Sequence, residues 1–117
     1  IDWDKDLTIV EGVFDAINAG NAVPILGSTL HSGSNLLRKI VRNDTPCYIA
    51  LDADASQKER KIITTLLRYD VELYKIDTTG FDDVGTMPKD VFNDRKAKAK
   101  FIDRDNYLLL DLLAGIQ

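Results

Sequence analysis

Cysteine, histidine, tryptophan and methionine occur once each in this 117-residue chain, and proline three times. The lone Cys47 excludes an internal disulfide and fits a reducing, cytoplasmic setting; within a strand-like run it reads as a small buried hydrophobe. One cysteine and one histidine, His31, cannot assemble the nitrogen and sulfur ligands of a zinc site. No apolar run approaches the roughly 20 residues that a membrane helix needs. A basic surplus is missing too. Fifteen Lys and Arg stand against 19 Asp and Glu, and a net charge of −4 is not that of a free-standing nucleic-acid binder. Gly27 and Gly33 of the "GSTLHSG" loop lack the Lys-Ser/Thr that would make a phosphate loop. There is no internal repeat and no low-complexity linker. Apolar content of 44% with 29% charged residues matches an ordinary globular domain and argues against disorder. One domain is expected. Starting at "IDWDKD" without Met, the chain reads as a piece of a larger protein.

What is present is an alternation of strand-like and helix-like segments. "LTIV" (Leu7 to Val10) closes on Glu11-Gly12, and "GVFDAINAG" follows with Val13, Phe14 and Ile17 at helical spacing and Gly20 as a C-cap. "AVPIL" reads as a second strand, placed at a sheet edge by Pro24, which cannot donate to a ladder. "SNLLRKIVRN" predicts a helix through Leu36, Leu37, Ile40 and Val41. "PCYIALD" is apolar nearly throughout, as strands buried on both faces are. "SQKERKIITTLLRYD" opens on Ser56 as N-cap and sets Ile62, Ile63, Leu66 and Leu67 on one face. "VELYKID" alternates and makes a fourth strand. The turn-rich "TTGFDDVGTMP", the basic amphipathic "KDVFNDRKAKAKFI" and the apolar "NYLLLDLLAGI" complete the chain. This βαβαβαβ order implies an α/β fold: about four mostly parallel strands, helices on both faces and further C-terminal helices.

In such sheets ligands bind at the carboxyl ends of strands, where strand order reverses. The first strand ends at Glu11, with Asp15 one helical turn on. The third ends at Asp52 and Asp54, which share one side of an extended backbone. The fourth ends near Asp77, and Asp82 and Asp83 follow. If the first and third strands are neighbours, several carboxylates converge. Two like charges about 4 Å apart repel by roughly 4 kcal/mol at an effective dielectric near 20. Such a cluster takes up protons or holds a cation, and all-oxygen donors favour Mg²⁺ first, with Mn²⁺ able to enter. Phosphoryl-transfer chemistry suits such a crevice. Aspartates that merely cap the next helix are the plainer alternative. Gly12 is expected to permit a close approach of backbone or ligand.

These residues resemble a known family. "VEGVFDA" (Val10 to Ala16), followed some 40 residues later by "ALDADA" (Ala50 to Ala55), is similar to the Toprim signature of Glu-Gly on the first strand and Asp-x-Asp on the third. The form E-G-x-x-D most resembles the DnaG-type and bacteriophage primases and primase–helicases. "PILGSTL" (Pro24 to Leu30) and "DDVGTMPKDVF" (Asp82 to Phe92) are similar to further primase stretches. Val84 departs from the proline usual there, Thr86 from a second acid, and "DADASQKER" from the A-G-x-x-A run. The resemblance implies a Rossmann-like three-layer Toprim core over residues 1–92, with 93–117 as a C-terminal helical extension. It also implies Mg²⁺-dependent nucleotidyl transfer making RNA primers on single-stranded DNA from nucleoside triphosphates. Glu11 would be an acid/base or metal-positioning carboxylate, Asp52 and Asp54 would hold Mg²⁺, and Asp83 and Asp15 would assist. Zinc-binding and helicase domains would be neighbours in the parent protein. A non-catalytic RecR-type interaction module and a Toprim nuclease or topoisomerase-type strand cleavage are the alternatives.

Around this set, Gly12, Ser28, Lys58, Arg60 and Lys61 are weaker candidates for nucleotide or nucleic-acid contact, with a solvated face as the alternative for the cations. Lys39 and Arg42 read the same way. For Arg95, Lys96, Lys98, Lys100 and Arg104, tracking a nucleic-acid backbone and forming one face of a surface helix stand level. His31 reads as exposed, and Trp3 as a packing residue. The Leu-rich end reads as a core or docking helix. A receiver-type signalling domain also carries acids at these strand ends, but would need a fifth strand followed by a lysine; none is evident.

Overall fold

A computed structural model describes residues 1–25, 34–52 and 56–114. The elements are β1 (Leu7–Val10), α1 (Val13–Ala19), β2 (Ala22–Pro24), α2 (Asn35–Asn43), β3 (Cys47–Ala50), α3 (Ser56–Arg68) and β4 (Leu73–Lys75). A 3₁₀ turn (Val84–Thr86), α4 (Lys89–Ala97), β5 (Lys100–Phe101) and α5 (Arg104–Ala114) follow. They build one five-stranded sheet in the order β2-β1-β3-β4-β5, parallel except for β5. Winding therefore starts at β1, runs outward to β2 and then reverses past β1 to β3. That reversal is what sends α1 to one face and α2 and α3 to the other.

Period-two alternation divides the core in two. Leu7 and Ile9 of β1, Cys47 and Ile49 of β3 and Leu73 of β4 meet Leu37 and Ile40 of α2 and Ile62, Ile63, Leu66 and Leu67 of α3. On the opposite face, Val10, Ala50 and Ile76 meet Val84, Met87 and Phe92, with Ala16 and Ala19 of α1 against them. Fully burying each large aliphatic or aromatic side chain here contributes about 1.5–3 kcal/mol. β2 pairs only with β1, so Pro24 does lie on an edge strand. Ser34 caps α2, accepting from Leu37 N at 3.1 Å. Trp3 packs against the first cluster beneath Lys39.

Three expectations change. First, a fifth strand exists. The chain leaves α4 at Ala97, and Lys100 and Phe101 pair antiparallel with Lys75 and Tyr74, Phe101 tilting onto the Tyr74 ring at 5.5 Å. "KAKAK" favours helix, but the open edge of β4 supplies partners that no local propensity anticipates. The strand runs against the others and does not complete a parallel receiver sheet.

Second, α1 is turned the other way: Phe14 is 82% exposed, Ile17 71% and Val13 52%. Its inner face is Asp15, Ala16 and Ala19, small or hydrogen-bonded residues that let the helix lie close to the sheet. The Asn18 amide fixes that rotation by donating to Val84 O at 2.7 Å and Met87 O at 2.8 Å.

Third, residue 92 falls inside α4, and β5 adds an exposed edge strand to the sheet, so the segment beyond 92 is not helical throughout. α5 docks through Tyr107 but leaves Leu109, Leu110, Leu112 and Leu113 exposed. Among the described residues no helix is long and apolar enough to cross a membrane.

Candidate functional site

β1 and β3 are hydrogen-bonded neighbours, Val10 standing beside Ala50. Glu11 therefore leaves the sheet next to the Leu51–Asp52 end of β3, with the two chains roughly 4.8 Å apart. This adjacency brings the acidic end of the first strand to the acidic end of the third. Thr78, buried beyond β4, ties its loop to the same place by donating to Leu51 O at 3.1 Å.

Glu11 is only partly exposed, and its Oε2 meets Lys58 Nζ of α3 at 3.2 Å. Asp52 is half-buried, with Oδ1 shut off from solvent. Asp54 and Ser28 lie outside the described residues, as do His31, Gly27 and Gly33. Arg60 and Lys61 are exposed on α3.

Asp15 takes another role. It is buried, and Oδ2 accepts from Gly12 N at 2.9 Å while Oδ1 accepts from Gly85 N at 2.7 Å. One carboxylate thus closes the first turn of α1 and clamps the 3₁₀ turn onto it. Asp83 caps that turn, Oδ1 accepting from Thr86 N at 2.9 Å. Asp82 is exposed. Asp77 turns back to its own loop, and hydrogen bonds from the Thr79 hydroxyl and amide hold its carboxyl below the usual range, helped by Arg95. The acids thus divide into Glu11 and Asp52 at the strand ends and Asp15 and Asp83, each bound to backbone. Among the described residues no three His, Cys, Asp or Glu side chains stand close enough to hold a metal ion.

The two glycines of this region differ. Gly12 has an ordinary extended φ of −129°, and a Cβ there would meet only Asp15 Oδ2 at 3.5 Å. The backbone does not require glycine at position 12. At Gly85 a Cβ would stand 3.0 Å from Asp15 Oδ1, so the carboxylate must give by a few tenths of an ångström and its bond to Gly85 N weakens. Gly12→Ala is accordingly expected to fold with a change below about 1 kcal/mol, whereas Gly85→Ala loses about 1–2 kcal/mol. Paired urea melts check the contrast, and equal losses at both positions would refute it.

Most of the basic run is already committed. Arg95 pairs with Asp77, Lys96 with Asp6 and Lys98 with Asp94. Those pairs are what a surface face supplies, and they leave the nucleic-acid reading of the run without a structural observation of its own. Sequence reasoning did not find Asn18 and Gly85 as residues that shape the site, because their partners lie about 70 residues away along the chain. Only the apposition of Gly12 and Asp15, an N-cap and its third residue, was open to local reading.

Chemically, Glu11 and Asp52 offer oxygen donors with no thiolate or imidazole beside them, a set suited to a hard divalent cation. Magnesium uses one or two carboxylates and completes its shell with water and phosphate, so this pair at adjacent strand ends fits it. No family model matches the chain, and neither a curated protein nor a solved structure matches it.

Proposed function

We propose that this chain is a Toprim-type catalytic domain of a primase or primase–helicase, acting in Mg²⁺-dependent nucleotidyl transfer for RNA primer synthesis on single-stranded DNA. The observation that supports the reading is the adjacency of β1 and β3, which sets Glu11 beside the β3 end that leads into Asp52 and Asp54. An α/β sheet reversing at β1 offers its crevice at that point.

Glu11, Asp52 and Asp54 would hold the cation, which when bound supplies charge neutralisation at the transferring phosphate. Glu11 orients or accepts a proton from the attacking hydroxyl. Lys58 of α3, which lies 3.2 Å from Glu11, would contact phosphate oxygens brought to that carboxylate. Asp15 positions Gly12 and the α1 turn and stays out of the reaction. The chain's work is mainly placement of reactants.

In a titration followed by NMR, millimolar Mg²⁺ or Mn²⁺ is expected to shift the amides of Glu11, Asp52 and Asp54, and Glu11→Gln with Asp52→Asn to abolish the response. Silence at these positions in the unaltered chain would sink the catalytic reading. By itself the chain is expected to bind metal and to synthesise little or no primer, because its net charge of −4 offers a template too little basic surface.

A second reading, the non-catalytic RecR-type module, draws support from the exposed apolar faces of α1 (Phe14, Ile17) and α5 (Leu109, Leu112). A nuclease or topoisomerase-type activity is separated from both by incubation with labelled single-stranded DNA and Mn²⁺, where cleavage would favour it.

A further inference from the structure

The ion pair at the crevice has a consequence for how the site loads. Glu11 is the more enclosed partner, with 23% of its side chain exposed against 42% for Lys58. Lys58 reaches it from the first turn of α3, across 47 residues of sequence. A carboxylate at a strand end, beside a second acid, is costly to leave uncompensated. Here an ammonium on a flexible four-carbon stem supplies the compensating charge. A divalent cation approaching Glu11 and Asp52 meets that ammonium first, because both positive charges seek the same oxygen.

We propose that Lys58 is an exchangeable counter-ion of Glu11: a divalent cation displaces it, and the released ammonium turns to the phosphate of an incoming nucleoside triphosphate. The inference rests on the metal-dependent reading above and deepens it by giving the site a loading order. Three features of the contact carry it. The pair is a lysine contact and not a bidentate arginine fork, a single N···O approach of 3.2 Å among the described residues. Lys58 is exposed enough to swing without dislodging core residues, since the buried face of α3 begins at Ile62. Lys58 stands in the first turn of α3 and already touches Glu11, so a displaced ammonium begins its swing at the end of β1. Because coupling is reciprocal, a metal that loosens the pair must itself be held back by the pair to the same extent.

The two ligands should respond in opposite directions. In the intact 117-residue chain, Lys58→Met is expected to tighten Mn²⁺ binding about two- to fivefold, the range that a partly exposed ion pair supports. The same variant should weaken binding of Mg²⁺–ATP about three- to tenfold, through loss of a charged phosphate contact. Lys58→Arg should restore most of the ATP binding. Lys39→Met, which removes one positive charge from α2, controls for net charge and should move Mn²⁺ affinity by less than about 1.5-fold at 0.15 M salt. In the unaltered chain, Mg²⁺ should shift the Lys58 side-chain ¹³Cε and ¹⁵Nζ resonances together with the Glu11 amide.

A merely structural salt bridge predicts unchanged or parallel losses for both ligands. Either result with Lys58→Met, in a variant whose amide spectrum shows it folded, would overturn the proposal. An equal gain with Lys39→Met would do the same. Failure of the functional reading looks different: there the unaltered chain shows no response to Mn²⁺ at Glu11 and Asp52, and the counter-ion proposal falls with it.

Discussion

Asp15→Ala is expected to lose about 3 kcal/mol of folding stability. Asp15 is 7% exposed and each carboxylate oxygen accepts one backbone N–H, from Gly12 at 2.9 Å and Gly85 at 2.7 Å. Charge-assisted bonds contribute about 1.5–3 kcal/mol each, and the exposure of Gly85 lets water recover part of that loss. The alanine also leaves α1 without its capping box and the 3₁₀ turn without its tether to that helix. Asp15→Asn should lose about half as much, because one amide oxygen can still accept while the amide nitrogen opposes the second N–H. Urea unfolding of the three proteins gives the comparison, with the transition midpoint falling and its slope unchanged. A loss below about 1 kcal/mol for the alanine variant would show that the clamp is incidental.

Alkali should unfold this protein through Cys47. The thiol is fully buried on β3 against the α2 and α3 layer, and burial, with the Asp6 charge second, pushes it from an ordinary 9.0 up to about 12. Above pH 9 the unfolded thiol ionises while the folded one stays protonated. The folded state then binds more protons, so stability is complete below about pH 9 and is lost as pH rises towards 12. At about 1.4 kcal/mol per pH unit the loss is about 4 kcal/mol at the top of that window. Cys47→Ala removes this proton but not the tyrosines and lysines that also titrate there. The gap between the two proteins, set near neutrality by a small lost side chain, should therefore close and reverse between pH 9 and 11.5. A gap that stays constant would contradict the assignment. The same burial predicts that an aromatic disulfide reagent leaves the native thiol unmodified and labels it fully in denaturant.

What local pattern determined is visible strand by strand. The apolar runs Leu7–Val10 and Cys47–Ala50 marked strands, the second as one buried on both faces, and the core indeed lies on both sides of them. The stripe Ile62, Ile63, Leu66 and Leu67 determined the inner side of α3. Pro24 marked an edge because a missing donor excludes an interior strand, wherever the sheet lies. The acids at the ends of β1 and β3 were equally legible, since a strand's end is a local property.

Their adjacency was not. Whether β1 lies beside β3 depends on the order in which strands dock, and that is decided by which crossovers can cover both faces at once. Rotation of α1 was misleading for a related reason. Val13, Phe14 and Ile17 form the better apolar stripe, yet the close seat between sheet and 3₁₀ turn admits only small residues and the hydrogen-bonded Asp15 and Asn18. β5 likewise exists because the edge of β4 had open donors and acceptors, against the helical preference of "KAKAK". The sequence alone therefore determined the faces, the edge and the acids, because each depends on neighbours within a few residues. Only the tertiary structure decided that Glu11 meets Lys58 and that Asp15 meets Gly85, because those contacts form between elements 47 and 70 residues apart, brought together by packing.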